Sequence, residues 1–359
     1  MTGQPRRLLF AGEAIVDVVL RVSALPERGG DILASASQVT VGGGFNVMSA
    51  AARQGLPVRY AGGHGTGPWG DLVRAALGAE GVDVLRPPDP ARDTGFDVAL
   101  VEPDGERTFV THLGAEALAD PGSWQTVPAE PRDAVYISGY GLVPPESGPV
   151  LGTWAAALPP GPLLFMDPGP LVAEIPAAVL GPVLARCDWV SCNQREAALL
   201  TGTSDPAAAA RRLLTRTRRA NVIIRSGPAG CLLALRPDPA RPAPPADLAD
   251  PPHVARPAAA TPANPAAATP ANPAGHSGAA AVLPPAPALV HVPAPAVTAV
   301  DSTGAGDTHA GVFLAALADG LDPPAAARRA NAAAAWSVTR LGPATSPARA
   351  TLDAWLAQP

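Results

Sequence analysis

Asp301-Ser302-Thr303-Gly304-Ala305-Gly306-Asp307 runs directly into the apolar sequence Thr308 to Ala318, so a run of small residues meets the start of a helix. A helix leaves its first N–H groups unpaired. With only small side chains around them they converge on one spot, with the positive end of the helix dipole behind. Such a spot binds an anion. Asp307 puts a carboxylate in the first turn beside it, and a carboxylate there can accept the proton of a hydroxyl attacking a phosphoryl group. An aspartate in a first turn is also an ordinary helix cap, so spacing alone leaves both roles open.

Working outward, short apolar runs alternate with amphipathic stretches. Leu8 to Val19, Val58 to Ala61, Ala134 to Ile137, Leu163 to Met166, Trp189 to Cys192 and Val222 to Arg225 read as strands. Asn46 to Gln54, Asp71 to Glu80, Gly148 to Ala157, Arg195 to Thr201, Ala207 to Thr217 and Ala305 to Ala318 read as helices. This rhythm predicts an α/β sheet covered by helices on both faces. Two early pieces depart from it: Ile15 to Arg21 with Asp31 to Thr40, and Gly95 to Thr111 around the turn Asp104-Gly105. Alternating residues about an Asp-Gly turn predict hairpins, placed here in a small sheet that serves as a lid.

The chain has 359 residues, 47% of them hydrophobic, and a net charge of -5, which supports a sizeable core and gives no footprint for nucleic acid. All 26 basic residues are arginine. The absence of lysine excludes Schiff-base chemistry, a Walker A phosphate loop and the strand lysine of protein kinases. Any phosphoryl chemistry must therefore rest on backbone amides, metal and arginine. Three cysteines without paired spacing suggest neither disulfides nor a zinc site. No apolar run approaches the ~20 residues of a spanning helix, and no signal peptide is visible, so a cytoplasmic protein is expected. Residues 236–295 are almost entirely Ala, Pro, Asp, Thr and Asn, with ATPANPA at Ala260 to Ala266 and again at Ala268 to Ala274. That composition predicts an exposed low-complexity insertion.

Two further glycine loops precede the Asp301 stretch. Gly65, Gly67 and Gly70 spell the dinucleotide fingerprint GxGxxG, but Pro68 and Trp69 stand where a pyrophosphate would approach and no acidic residue ends a strand about 20 residues on. A turn opening the next helix is the expected role. Gly42-Gly43-Gly44-Phe45-Asn46 gives open backbone access, and Asn46 offers both a donor and an acceptor to a polyhydroxylated ligand.

Taken together, Gly12 to Asp17 (GEAIVD), the Gly42 to Asn46 loop, Asn193-Gln194-Arg195-Glu196, Ser226-Gly227-Pro228-Ala229-Gly230, the Asp301 to Asp307 stretch and Ala330-Asn331-Ala332 resemble the ribokinase-like (PfkB) carbohydrate and nucleoside kinases. The resemblance implies one kinase domain over residues 1–359, a three-layer α/β/α sandwich with a central, mostly parallel sheet and a small β-sheet lid from about 15–40 and 95–112. It further implies Asp307 as catalytic base, with the amides of Gly304, Ala305 and Gly306 as anion hole. Asp17, Gly42, Gly43 and Asn46 match substrate-holding positions. Asn193, Ser226, Gly227 and Asn331 match positions around ATP, Glu196 a contact to Mg²⁺ through water, and Asp301 with Thr303 a monovalent-cation (K⁺) site. The implied reaction is phosphorylation of a sugar, sugar acid or nucleoside. The alternatives are a catalytically silent binding member and, from the GxGxxG loop, a dinucleotide oxidoreductase.

Departures bear on the substrate. Gly43 replaces the lysine common in ribokinase loops, and Ser138-Gly139-Tyr140 lacks the glutamate that ribokinases place on the sugar. Phe45 and Tyr140 are candidates for stacking on a base, and Arg107 for a lid contact to charged groups. An exposed lid sheet could pair with a second copy in a homodimer.

Overall fold

Strand β1 (Arg7–Ala11) is buried on both sides, because Leu8 and Phe10 face one hydrophobic core while Leu9 and Ala11 face another. A strand that alternates between two cores must lie inside a sheet with helices on each face. The computed structural model, which describes residues 4–117, 124–237 and 287–358, has that arrangement. β1 pairs in parallel with β4 (Val58–Tyr60) and with β8 (Asp133–Ser138), and the parallel run continues through β9 (Leu163–Asp167), β10 (Trp189–Asn193) and β11 (Asn221–Arg225). Two antiparallel strands, β12 (Cys231–Leu235) and β13 (Ala288–Val292), close one edge, and β5 (Asp83–Val84) the other. Helices α1 (Phe45–Arg53), α7 (Ala305–Ala318) and α8 (Pro323–Ser337) feed the first core. Helices α5 (Gln194–Thr201) and α6 (Pro206–Arg216) feed the second.

The expected strand over Leu8 to Val19 is two strands. The chain turns at Gly12-Glu13, and β2 (Ala14–Arg21) joins a separate four-stranded sheet ordered β3-β2-β6-β7, with β3 Ala36–Gly43, β6 Phe96–Val101 and β7 Arg107–His112. Both expected hairpin regions therefore meet in one small sheet. The break occurs because the Glu13 carbonyl accepts from the Gly44 amide at 2.9 Å, tying the strand end to the glycine loop.

Within the expected 236–295 insertion, residues 238–286 lie outside those described. Its end is corrected: Ala288–Val292 is a strand, with Leu233 opposite Val290 in register and Val290 and Val292 buried. Those alternating apolar residues fill the first core, and burying each contributes about 1.5–3 kcal/mol. Among the described residues, no helix is long and apolar enough to cross a membrane.

Candidate functional site

Helix α7 is buried from Thr308 to Ala316, so its start is fixed against the sheet rather than frayed into solvent. Gly304 precedes it with φ +70, a left-handed conformation that glycine reaches without strain. A side chain at Gly304 would also crowd Asn46, whose amide carbon lies 3.2 Å from the position of a Cβ there. This proximity brings the two glycine-rich loops together: Asn46 Nδ2 donates to Asp307 Oδ2 at 3.1 Å across a separation of 261 residues.

Among the described residues, the amides of Gly304, Gly306 and Asp307 have no hydrogen-bond partner. Ala305 differs from expectation. Its N–H is taken by the Ser302 carbonyl at 3.2 Å in the turn that enters the helix, so the open amides are those of residues 304, 306 and 307. Burial pushes the Asp307 carboxyl up to about 6, aided by the Asp167 charge and opposed by the Asn46 hydrogen bond and the Arg225 guanidinium.

Arg225 is the functional group that sequence reading missed. It ends β11, reaches within 3.3 Å of where a Cβ on Gly306 would stand, and donates to Asp167 Oδ2 and Ser191 Oγ at 2.6 Å each. In a chain without lysine, it is the fixed cation beside the open amides. The available signal was an arginine at a strand end immediately before Ser226-Gly227.

Asp307, Gly304 and Thr303 open onto a cavity of about 460 Å³, within the usual range for a small-ligand site. The small sheet supplies Asp17, Gly43, Asp97 and Phe109 to its walls, and the large sheet side supplies Glu13 and Tyr140. Gly42 does not line it. A Cβ there would fall 2.1 Å from Asp17 Oδ2, so Gly42 makes room for the Asp17 carboxylate. Phe45 is packed in the core, whereas Tyr140 is 44% exposed at the cavity wall. Burial pushes Asp17 up to about 8, reinforced by Asp97 and Asp307.

The resemblance-based nucleotide and metal residues are less open. Asn193 and Glu196 cap α5 mutually: Asn193 Oδ1 accepts from the Glu196 amide, and Glu196 Oε2 accepts from the Asn193 amide, each at 2.8 Å. Glu196 Oε1 takes the Asn193 Nδ2 hydrogen, and Oε2 lies 3.6 Å from Arg225. Each Glu196 oxygen accepts one hydrogen bond and keeps a second lone pair, an arrangement compatible with the contact to Mg²⁺ through water that the resemblance implies. Asp301 Oδ1 accepts from the Thr303 amide and hydroxyl and from Arg107, and Oδ2 accepts from the Gly342 amide at 3.0 Å. A guanidinium thus stands where the resemblance implies K⁺, and the Asp301 and Thr303 side chains do not fit that cation. Ser226 accepts from Gln194 Nε2 at 3.1 Å, and Gly227 opens a short turn beside it with φ +55. Asn331 is buried and donates to the carbonyls of Val292 and Pro293, anchoring the chain that leaves β13.

The GxGxxG loop carries no open anion site. Asp93 accepts from the Trp69 and Gly70 amides at 3.1 and 2.7 Å, occupying the helix start where a pyrophosphate would sit.

The sequence pattern of the pfkB family carbohydrate kinases matches residues 5–251 and 271–350. The uncharacterized sugar kinase YegV of Escherichia coli (strain K12) is 36% identical over 192 residues, 53% of this chain and 59% of that protein. The chain thus matches about three fifths of that curated relative. Among solved structures, the ribokinase of Thermotoga maritima is similar with a TM-score of 0.72 at 22% identity, covering 98% of this chain and 99% of that one. The Arabidopsis thaliana ribokinase, solved complexed with ribose and ATP, is similar with a TM-score of 0.67 at 20% identity, covering 99% of this chain and 100% of that one.

Proposed function

Because the chain belongs to the pfkB family of carbohydrate kinases, we propose that it transfers the γ-phosphoryl group of ATP to a hydroxyl of a small sugar, sugar acid or nucleoside. The observation that carries this reading is the Asp307 carboxyl beside three unpaired amides, opening onto a cavity bounded by both sheets. Asp307 takes the hydroxyl proton as the oxygen attacks phosphorus in line. The amides of Gly304 and Gly306, with Arg225 behind them, receive the charge on the migrating group. ADP leaves with the bridging oxygen. The Arabidopsis relative with bound ribose and ATP supports ATP as donor. Mg²⁺ enters with the nucleotide as part of that substrate, since phosphates rather than an all-protein cage usually hold it. Asp17 and Asn46 orient the acceptor, and Ser226 and Gly227 lie along the approach to the nucleotide. An ATP-consuming role suits a cytoplasmic setting.

Val39 and Val110, exposed on the face of the small sheet opposite the one that carries Phe109 to the cavity, support a second copy of the chain as cover for that face, giving a homodimer. The test of the reading is a phosphorylation screen with ATP over sugars, sugar acids and nucleosides, read as ADP formed in step with acceptor. A silent binding protein would retain ligand binding without ADP formation. A nicotinamide titration is expected to show no binding, because Asp93 fills the only loop of dinucleotide type found in the sequence.

Two further outcomes follow from the site. Asp307 must be ionised to act as base, and its pKa is raised to about 6, so the active form is present above that value and lost as pH falls through it. The pH profile of kcat is expected to fall about tenfold between roughly pH 7 and 5 through this group. The Gly42→Ala variant is expected to fold but to displace the Asp17 carboxylate, raising KM for the acceptor about tenfold or more while changing kcat less. Steady-state kinetics against acceptor concentration separates the two parameters.

A further inference from the structure

Five carboxyl groups line the cavity, those of Glu13, Asp17, Asp97, Glu116 and Asp307, and no arginine or histidine among the described residues does. Between the lining residues Ala117 and Trp124, the sequence Leu118 to Ser123 contains no basic residue either. Glu116 is spent on the amides of Gly95 and Gly114, at 2.8 and 2.7 Å. The others are not. Asp97 is 8% exposed and its Oδ1 has no partner, Asn46 is 4% exposed and its Oδ1 has none, and Glu13 Oε2 is buried without one. Asp17 is 6% exposed and accepts no hydrogen bond among the described residues.

A buried acceptor without a donor costs about 1–3 kcal/mol, so three such groups, those of Glu13, Asn46 and Asp97, on residues that line one space beside Asp17, bear on what fills it. The filling group must bring several donors and no negative charge. Burial raises Asp17 to about 8, Glu13 to about 7 and Asp97 to about 6, so the set is partly protonated near neutrality; an anion there would still lose its water among carboxyls, with no arginine or histidine among the described lining residues to offset it. Glu13 has a particular place in this set. It hangs from the turn between β1 and β2, and its Oε1 accepts from Ser138 Oγ at 2.9 Å. Ser138 begins the segment whose sequence lacks an acidic residue, so a carboxylate reaches that side of the cavity from a different strand. Asp97 enters from β6, directly opposite Asp17 in parallel register.

We infer that Glu13 and Asp97 are specificity-determining residues, which with Asp17 and Asn46 select an uncharged or amine-bearing polyol and reject acidic acceptors. The inference narrows the acceptor of the proposed kinase and rests on that reading only for the identity of this cavity as the acceptor site. Sugar acids and already phosphorylated sugars are excluded. Uncharged sugars, nucleosides through their ribose, and amino sugars remain.

The test uses calorimetric titration of the full chain with matched triplets of one carbon skeleton: D-glucose, D-glucosamine and D-gluconate, and the corresponding pentose set. The uncharged or amine probe is expected to bind at least about tenfold more tightly than the acid of the same skeleton. In Glu13→Gln and Asp97→Asn, which keep shape and remove charge, that preference is expected to shrink to about threefold or less. Equal or tighter binding of the acid overturns the inference. So does failure of every uncharged and amine probe to bind, or an unchanged preference in both variants. ADP formation is followed in parallel samples with ATP. Binding of the uncharged probe without transfer overturns the kinase reading alone, and preferred transfer to the acid overturns this inference alone.

Discussion

Asp307→Asn is expected to lower kcat by about 10²–10⁴-fold, the range a positioned general base contributes, while leaving the fold intact. The substitution keeps the shape of the side chain and an oxygen to accept from Asn46 Nδ2, so the 3.1 Å contact between the two glycine-rich loops survives. It also removes a buried negative charge whose pKa is already raised to about 6 beside Asp167, which relieves repulsion instead of creating it. Thermal stability should therefore hold or rise. Binding of ATP and acceptor, measured by titration, should change by less than about threefold, placing the loss in the chemical step. A variant that turns over near the parent rate removes Asp307 from the mechanism.

Arg225→Met is expected to cost about 3–5 kcal/mol of stability, because it leaves buried carboxylates without their cation. Asp167 at 2.6 Å and Glu196 at 3.6 Å both face that guanidinium. Methionine approximates the stem but supplies no donor, so the Ser191 hydroxyl also loses its partner. Urea denaturation reads the stability loss. The double variant Arg225→Met with Asp167→Asn should recover a substantial part of it by removing one of the stranded charges. A second consequence separates this role from simple scaffolding: Arg225 lowers the pKa of Asp307, so the acidic limb of the kcat profile should move to higher pH in the single variant. An unmoved limb would confine Arg225 to structure.

Where a signal lay in consecutive residues, the sequence displayed it. The parallel strands of the large sheet are continuous apolar runs because each is covered on both faces, whereas in the hairpin about Asp104-Gly105 β6 alternates between buried and half-buried residues and β7 is exposed along most of its length. The edge pair was hidden, since Ala288–Val292 sits inside a Pro/Ala-rich stretch whose composition masks five alternating residues. Helix Ala177–Arg186 escaped notice because Gly181 and Pro182 stand in its middle, and α8 because alanine gives little amphipathic contrast.

The candidate site divides in the same way. Residues 301–307 announce an anion-binding helix start, and Asn46 a polar contact. What spacing does not convey is which partners are already taken. Asn193 and Glu196 form a nucleotide and metal motif in sequence, and in the fold they also cap a helix through one another. Asp301 fits a cation site, yet holds Arg107 from the small sheet, 194 residues away. Arg225, Glu13 and Asp97 gain their meaning only from groups that approach across the fold.

In the proposed mechanism the open amides of residues 304 and 306 and the Asp307 carboxylate together move a phosphoryl group from ATP to an alcohol. Phosphorus NMR of a mixture of the protein, Mg-ATP and an acceptor identified by the titrations tests it most directly. A new phosphomonoester resonance is expected to grow in equal measure with ADP in the parent protein and to be nearly absent in Asp307→Asn. Inorganic phosphate in place of the ester, or an ester formed equally fast without the carboxylate, would contradict it.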